Sequence, residues 1–254
     1  MENLKQYQDL NSSINETIVF EYNTNVSSLV AKEGCSYVIY NYSSKGFDLV
    51  AEKNSNVTII ACSLEQVKQE NTITLQKNAT VTMTNIVLGT NSKIDLHVEL
   101  QEYSTFKADI LAIAKDDQQN IHTNVKHLAK SSKSYVNNYG VSSISGSCNF
   151  KTVGHVINNA KMAVVKQLTR GFILANNGIV KAEPILLIDE FDVEANHGAA
   201  IGKLSEDDLF YLMSRGLSKK EAELLILKAI IDPFIAKVDE KHQELVLDSI
   251  NKKM

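Results

Sequence analysis

Short runs of Val, Ile, Thr, Leu and Tyr, separated by Asn, Ser, Gly and Lys, dominate residues 17–195. Runs of this composition are typical of β-strands. The segments between them rarely carry the Asn-Gly or Asp-Gly pair of a two-residue hairpin, and the strands start at irregular intervals of roughly 10 to 20 residues. This pattern favours a coiled β-solenoid over a sandwich of tight hairpins.

A solenoid coil cannot bury its inward face alone, so the stacking of coils makes the core and leaves two ends that need covers. We therefore predict a mainly β protein whose core is a parallel β-helix. Residues 1–16 are expected to form an N-terminal extension, residues 17–204 the β-helix, and residues 205–254 a small C-terminal α-helical domain.

Length and charge narrow the class of protein. A chain of 254 residues can hold one large domain. The formal net charge of -4 offers no basic stripe for phosphates, which argues against nucleic-acid binding. No apolar run approaches the roughly 20 residues that span a bilayer, and the opening MENLKQYQDLNSSINE has neither a cationic leader nor an apolar stretch. We expect a cytoplasmic protein without a membrane partner.

The cysteine pattern predicts neither a disulfide framework nor a zinc site. Cys35, Cys62 and Cys148 are odd in number, lie far apart and form no CxxC pair, which excludes a disulfide scaffold or a closed zinc site. We expect reduced thiols that behave as small buried hydrophobic residues.

The segment FDVEANHGAAIG has the period-two pattern of a strand. Its polar side carries Asp192, Glu194 and Asn196, and its apolar side carries Phe191, Val193, Ala195 and His197. Gly198 would let the backbone change direction directly after the imidazole, which predicts that the ring lies at the rim of a coil.

The histidine at this position has two interpretations. One imidazole alone makes neither a metal site nor a catalytic pair, so a neutral ring bonded to a backbone carbonyl is the first. The second is a metal ligand, because a carboxylate near His197 could give iron a hard oxygen ligand beside the imidazole. Glu194 is the candidate for that second ligand.

Beyond Gly202 the pattern becomes helical. Ser205 with Asp208, and Ser218 with Glu221, are N-terminal helix signals, and Gly216 is placed to close the first helix. These signals predict helices near 206–215 and 219–238. Pro233 is expected to kink or end the second helix at residue 232, and the tail after residue 238 is either a third helix or a frayed end.

The second predicted helix is apolar nearly all round its axis, so it needs covering on two sides. One cover is expected to be the end of the solenoid. The other is either a neighbouring subunit or the helix's own domain.

Three pieces carry a family resemblance. They are DVEANHGAAIG (residues 192–202), LFYLMSRGL (residues 209–217) and the pair Glu221 and Ala222, with weaker similarity through residues 127–162. Together they closely resemble the C-terminal signature of the SufB/SufD family, scaffold proteins of the SUF iron-sulfur cluster assembly system. The resemblance implies a right-handed parallel β-helix with a helical C-terminal domain.

The resemblance also implies a function. It implies a non-enzymatic, SufD-like scaffold subunit that pairs with a SufB-like scaffold and docks a SufC-like ABC ATPase through residues 205–238. His197 would handle a transient iron-sulfur cluster or iron at the SufB interface, with none stably bound in the isolated chain. The residues expected to bind partners are Phe191, Val193, Ala195, Leu209, Phe210, Tyr211, Arg215 and Gly216. An isolated chain could instead form a homodimer through the same strand edge.

Alternatives stay open. A SufB-like scaffold is one, although the HGA pattern at His197, where SufB members tend to have HEA, and the lack of a cysteine in the strands just before it favour SufD. A β-helix carbohydrate-active enzyme is another, although the chain has no tryptophan and no leader. A module that binds SufC without touching metal is a third. The chain has no GxxxxGK[ST] phosphate loop, so a partner would hydrolyse ATP.

Overall fold

The computed structural model describes residues 8–9, 15–21 and 28–254. Within them the chain forms sixteen strands followed by three helices. The strands are β1 (Gln8–Asp9), β2 (Asn15–Phe20), β3 (Ser28–Ala31), β4 (Ser36–Asn41), β5 (Asp48–Ala51), β6 (Asn56–Ser63), β7 (Lys68–Leu75), β8 (Thr80–Val87), β9 (Lys93–Leu100), β10 (Thr105–Ala114), β11 (Gln118–His127), β12 (Lys133–Ser142), β13 (Ser147–Val156), β14 (Ala163–Ile173), β15 (Ile179–Ile188) and β16 (Val193–Gly202).

The strands form two parallel sheets. One contains the odd-numbered strands in the order β1-β3-β5-β7-β9-β11-β13-β15, and the other contains the even-numbered strands from β2 to β16 in sequence order. We call these the odd sheet and the even sheet. Each coil gives one strand to each sheet, and every coil hydrogen-bonds to the next. The predicted β-helix is therefore confirmed.

The core lies between the two sheets because alternate side chains of each strand point inward. These inward residues are mainly Leu, Ile, Val, Ala and Phe, including Leu29, Ile59, Val81, Leu96 and Phe106. The alternation that indicated strands in the sequence is thus the alternation of core and surface.

The turns at one corner of the coils also stack. Gly34, Asn54, Asn78, Tyr103, Ser131 and Met162 all have positive φ. The N–H of each donates to a carbonyl in the corresponding turn of the next coil, as from Asn54 to Lys77 O at 3.1 Å and from Tyr103 to Lys130 O at 3.2 Å. Asparagine and glycine tolerate this left-handed conformation, which explains their place between strands.

The three helices are α1 (Glu206–Ser214), α2 (Lys219–Ile235) and α3 (Glu240–Lys253). The predicted N-caps are confirmed: Ser205 accepts from the Asp208 N–H at 3.2 Å, and Ser218 forms a capping box with Glu221. Gly216 follows α1 with φ of 98°. The open choice for the tail is resolved by α3.

Pro233 was expected either to kink the second helix or to end it at residue 232, and the second of these outcomes is wrong. α2 continues through Pro233 to Ile235, and Phe234 and Ile235 are buried. Burying these two side chains against the solenoid offsets the backbone hydrogen bond that proline removes.

The end of the solenoid was expected to cover one side of the second helix, and this expectation is wrong. The helices lie along the flank of the solenoid instead. α2 and α3 pack on outward side chains of the even sheet, and Phe234 meets the Tyr139 ring with centroids 5.4 Å apart. The sheet residues in this cluster include Ile60, Cys62, Ile86, Leu88, Leu111 and Ile113. These outward positions are apolar from β6 to β10, so they form the surface that the helices need.

The last helix is fixed at both ends. Near its start, the His242 ring stacks on Tyr42 with centroids 3.8 Å apart, and its Nε2 lies 3.1 Å from Glu21 Oε2. At its end, Lys253 pairs with Asp117 in the turn after β10. α3 therefore spans several coils of the even sheet.

The domain limits stay a prediction. β1 lies within the expected extension and pairs with β3, while most of residues 1–14 lie outside the described residues. β16 ends at Gly202 and α1 begins at Glu206, on either side of the expected limit at residue 204. Among the described residues, no helix is long and apolar enough to cross a membrane.

Candidate functional site

The last coil is the open end of the solenoid. β15 pairs with β13, and β16 pairs with β14. Neither strand has a partner on its other side among the described residues, so each presents a row of free backbone donors and acceptors. We call β15, β16 and the bend between them the terminal coil.

His197 faces the interior of the terminal coil. It lies in register with Gln167, a buried residue on the inward face of β14. Val193 and Ala195 share this face and pack on a small apolar cluster, as the period-two pattern predicts. His197 itself is exposed because no further coil covers it, and it makes no hydrogen bond or ion pair with any described residue.

Two details of the predicted strand are wrong. Phe191 is not part of it: β16 begins at Val193, and Phe191 lies in the preceding bend with its side chain fully exposed at 102%. Gly198 does not end the strand, which continues to Gly202 because all ten residues pair with β14. His197 therefore lies in the middle of β16 and not at its end.

Glu194 lies on the opposite face of β16 from His197. Its Oε1 pairs with Lys166 Nζ at 2.8 Å, and hydrogen bonding to this carboxylate raises the pKa of Lys166. Glu194 as a metal ligand stays a prediction, and Lys166 would compete with a metal ion for its carboxylate.

The surface of α1 is unusually exposed for a helix, since none of its residues is buried. Of the α1 residues, Leu209 alone packs partly on the apolar cluster that joins the helices to the even sheet. Phe210 is 75% exposed and Tyr211 57% exposed. The Arg215 guanidinium lies over the Tyr211 ring at 5.3 Å. Met213 is also exposed, a member of this surface that the sequence reasoning missed. The exposed residues form what we call the α1 surface: Phe210, Tyr211, Met213 and Arg215.

The described residues do not form a metal site alone. They contain no group of three or more His, Cys, Asp or Glu side chains placed to hold a metal ion. His197 therefore belongs to no such group.

The cysteines are buried, as predicted. Burial raises the pKa of the Cys148 thiol to about 12, and its Sγ lies 3.5 Å from the carbonyl oxygens of Ala112 and Val141. Burial also raises the pKa of Cys62 to about 12. Because the thiolate is the reactive and metal-binding form, these two cysteines are placed for packing.

Comparison with known proteins places these features in a family. A family model described as SUF system FeS cluster assembly, SufBD core domain, matches residues 8–230. The iron-sulfur cluster assembly protein SufD of Bacillus subtilis (strain 168) is 34% identical over 139 residues, which cover 55% of this chain and 30% of that protein.

Two further relatives agree. The iron-sulfur cluster assembly protein SufB of the same strain is 29% identical over 125 residues, covering 49% of this chain and 27% of that protein. An iron-sulfur cluster assembly SufBD family protein of Archaeoglobus fulgidus is 37% identical over 97 residues, covering 38% of this chain and 26% of that protein. The matches span less than a third of each relative. Since the family model matches most of this chain, the chain belongs to the SufB/SufD family of SUF-system iron-sulfur cluster assembly proteins.

Proposed function

We propose that this chain is a SufD-like, non-enzymatic scaffold subunit that pairs with a SufB-like scaffold and a SufC-like ATPase. The observation that carries the proposal is the terminal coil, which holds His197 at an uncovered end while helices cover the flank. The similarity to SufD along half of the chain favours SufD over SufB. Family membership leaves the carbohydrate-active enzyme without support.

The terminal coil is the proposed contact with the SufB-like scaffold. The free edges of β15 and β16 offer main-chain hydrogen bonds to strands of a partner. Phe191, fully exposed in the bend between them, supplies an aromatic anchor of the kind that dominates interface energies. A second copy of this chain is the alternative occupant when the partner is missing.

His197 is the proposed ligand for iron or a nascent cluster, which is the cargo of the complex. Its imidazole is exposed and bonds to no described residue, so a lone pair is available. The remaining ligands would come from the partner, because the described residues group no others beside it. Binding would then depend on the assembled interface and be transient.

The α1 surface is the proposed dock for the SufC-like ATPase. Phe210, Tyr211 and Arg215 belong to residue types that are enriched in interface hot spots, and Gly216 ends α1 beside them. The partner would hydrolyse ATP, and the complex would act in the cytoplasm.

The test is co-purification with candidate SufB-like and SufC-like partners. Removing residues 205–254 would also uncover the apolar flank, so we replace Phe210 and Tyr211 by Ala instead. We expect SufC-like binding to be lost and SufB-like pairing kept. Tyr103→Ala is the control, because Tyr103 is similarly exposed, at 48%, on the turn between β9 and β10.

A second variant tests the cargo. His197→Ala should leave the complex intact and lower cluster formation, which separates a ligand from a purely structural module. If neither partner co-purifies with the wild type, or if His197→Ala assembles clusters normally, the corresponding part of the proposal fails.

A further inference from the structure

Gln167 carries an acceptor that nothing satisfies. The residue is only 5% exposed and lies on the inward face of β14, in register with His197. Its Nε2 donates to the carbonyl of Ile185 on β15 at 3.4 Å. Its Oε1 is buried and accepts no hydrogen bond from a described residue. Buried side-chain acceptors usually have a partner, so this oxygen is available to a donor that lies close to it.

The position of this amide in its row is informative. Residues in register along the even sheet form a row of inward side chains, which runs Met83, Ala108, Val136, Gln167 and His197. The first three are apolar and belong to the solenoid core. The row becomes polar only in the last two coils, where packing alone would favour another apolar residue. The polar end of the row thus places an amide beside the exposed imidazole.

That neighbour is the imidazole of His197. Residues in register on adjacent strands are separated by about 4.8 Å and point to the same side, so the two side chains are lateral neighbours. A neutral imidazole has one N–H and one nitrogen lone pair, and the hydrogen bond at one nitrogen decides which nitrogen keeps the lone pair. Oε1 of Gln167 is the buried acceptor nearest in the row to supply that bond.

We infer that Gln167 is a positioning residue for His197. The two side chains are not hydrogen-bonded in the structure, and rotation of the exposed, unbonded imidazole about its side-chain bonds would bring one ring N–H to Oε1 and leave the other ring nitrogen free. The inference rests on the proposed function, since it concerns how His197 is prepared for iron. Histidine ligands commonly donate their second nitrogen to a fixed acceptor, which orients the ring and selects its tautomer. Gln167 gives the exposed ring that acceptor from inside the solenoid.

The experiment measures the tautomer of His197 in the 15N-labelled full chain by NMR, at a pH where the ring is neutral. In the wild type we expect one nitrogen to show the protonated type of shift and the other the lone-pair type. Gln167→Met keeps the side-chain length and removes the acceptor, so the tautomer ratio should fall by about threefold to tenfold, the range of one net hydrogen bond. Gln167→Glu keeps an acceptor oxygen and should restore the preference.

The control variant is Gln119→Met. Gln119 is also buried with an unpartnered Oε1, but it lies on β11, in a different row. The Gln119→Met variant should leave the His197 tautomer unchanged. A wild-type ring that already shows the averaged shifts of free histidine overturns the inference without any variant. An equal change with Gln119→Met and Gln167→Met overturns it too.

A failure of the inference can be distinguished from a failure of the proposed function. If the tautomer depends on Gln167 but His197→Ala assembles clusters normally, the positioning stands and the iron role fails. If His197→Ala lowers cluster formation but Gln167→Met leaves the tautomer unchanged, the iron role stands and the positioning fails.

Discussion

Tyr42 and His242 lie face to face, with ring planes 18° apart, although one follows a strand of the second coil and the other lies in the last helix. Asp239 joins them, because it accepts from the Tyr42 hydroxyl at 2.6 Å and lies 2.9 Å from His242 Nδ1. Glu21 lies at the other side of the imidazole. These four residues attach α3 to the first coils.

Replacing Tyr42 by Leu should destabilise the fold by about 1–3 kcal/mol, because it removes a buried aromatic stack and a hydrogen bond to a carboxylate. Urea unfolding at pH 7 measures the change. Tyr103→Leu, on an exposed turn, is the matched control and should change the free energy of unfolding by less than about 0.5 kcal/mol. Equal effects of the two variants would contradict the role of the stack.

The same attachment should weaken in acid. Hydrogen bonds from Lys241 and His242 lower the pKa of Glu21, and those from Tyr42 and His242 lower the pKa of Asp239 against the opposing effect of burial. Carboxylates with lowered pKa values stabilise the fold above their unfolded values near pH 4, and this contribution is lost as the pH falls through the folded values. Glu21→Gln should therefore show a shallower loss of stability between pH 5 and about pH 3 in urea titrations.

His127 should give a second pH dependence, at higher pH. It is buried in the solenoid, its ring nitrogens lie 2.8 Å from Ser132 Oγ and 2.9 Å from Ser134 Oγ, and burial lowers its pKa to about 4. A lowered histidine pKa stabilises the fold above the unfolded value near 6.5, and this contribution is lost as the pH falls toward 4. Lowering the pH from 7.5 to 5 should cost about 2 kcal/mol through this residue.

His127→Gln should remove that pH-dependent part of the free energy of unfolding, whatever the substitution costs in stability at pH 7.5. The control is His155→Gln, because His155 is partly exposed and pairs with Asp189 on the surface. A wild-type free energy of unfolding that stays constant from pH 7.5 to 5 would refute the prediction.

Two glycines of the last coils should respond differently to alanine. A Cβ on Gly171 would lie 2.7 Å from Val180 Cγ1 and 3.0 Å from Ile201 Cγ1, whereas one on Gly198 would meet only Leu168 Cδ1 at 3.6 Å. We expect Gly171→Ala to cost about 1–3 kcal/mol by overpacking, and Gly198→Ala to be tolerated. Thermal melts of the two variants compare them directly, and equal melting temperatures would contradict the prediction.

Cys62 and Cys148 should resist alkylation in the folded protein. Both are almost fully buried, and burial raises both pKa values to about 12, so little thiolate forms at pH 8. Mass spectrometry after iodoacetamide treatment should find them modified only when urea is present. Rapid modification of Cys148 in the native chain would show that the terminal coils open.

Local signals predicted much of this structure. The N-caps at Ser205 and Ser218 depend on residues three positions away, and the core-facing side of each strand depends on alternation, so both can be read without knowing the fold. The flank position of α2 could not be read this way, because outward Ile86 and Leu88 look like ordinary strand residues until the coils stack them beside their neighbours.

The candidate site, too, could be predicted from the sequence only in part. His197, Val193 and Ala195 share a face in the sequence pattern and in the fold, whereas the exposure of Phe191 depends on where β16 starts to pair. Gln167 carried no recognisable signal, since its relation to His197 exists only through the register of β14 and β16. Register is a property of the whole sheet and leaves little trace in a single segment.

The packing of α2 and α3 along the flank of the even sheet affects how the solenoid can unfold. A solenoid held only by contacts between neighbouring coils can unravel one coil at a time from a free end. Here His242 near the start of α3 stacks on Tyr42 after β4, and Lys253 at its end pairs with Asp117 after β10, so α3 joins coils that are not neighbours. A force applied at α1 would therefore be shared by the middle coils, which gives the solenoid a resistance to bending that contacts between neighbouring coils alone do not provide.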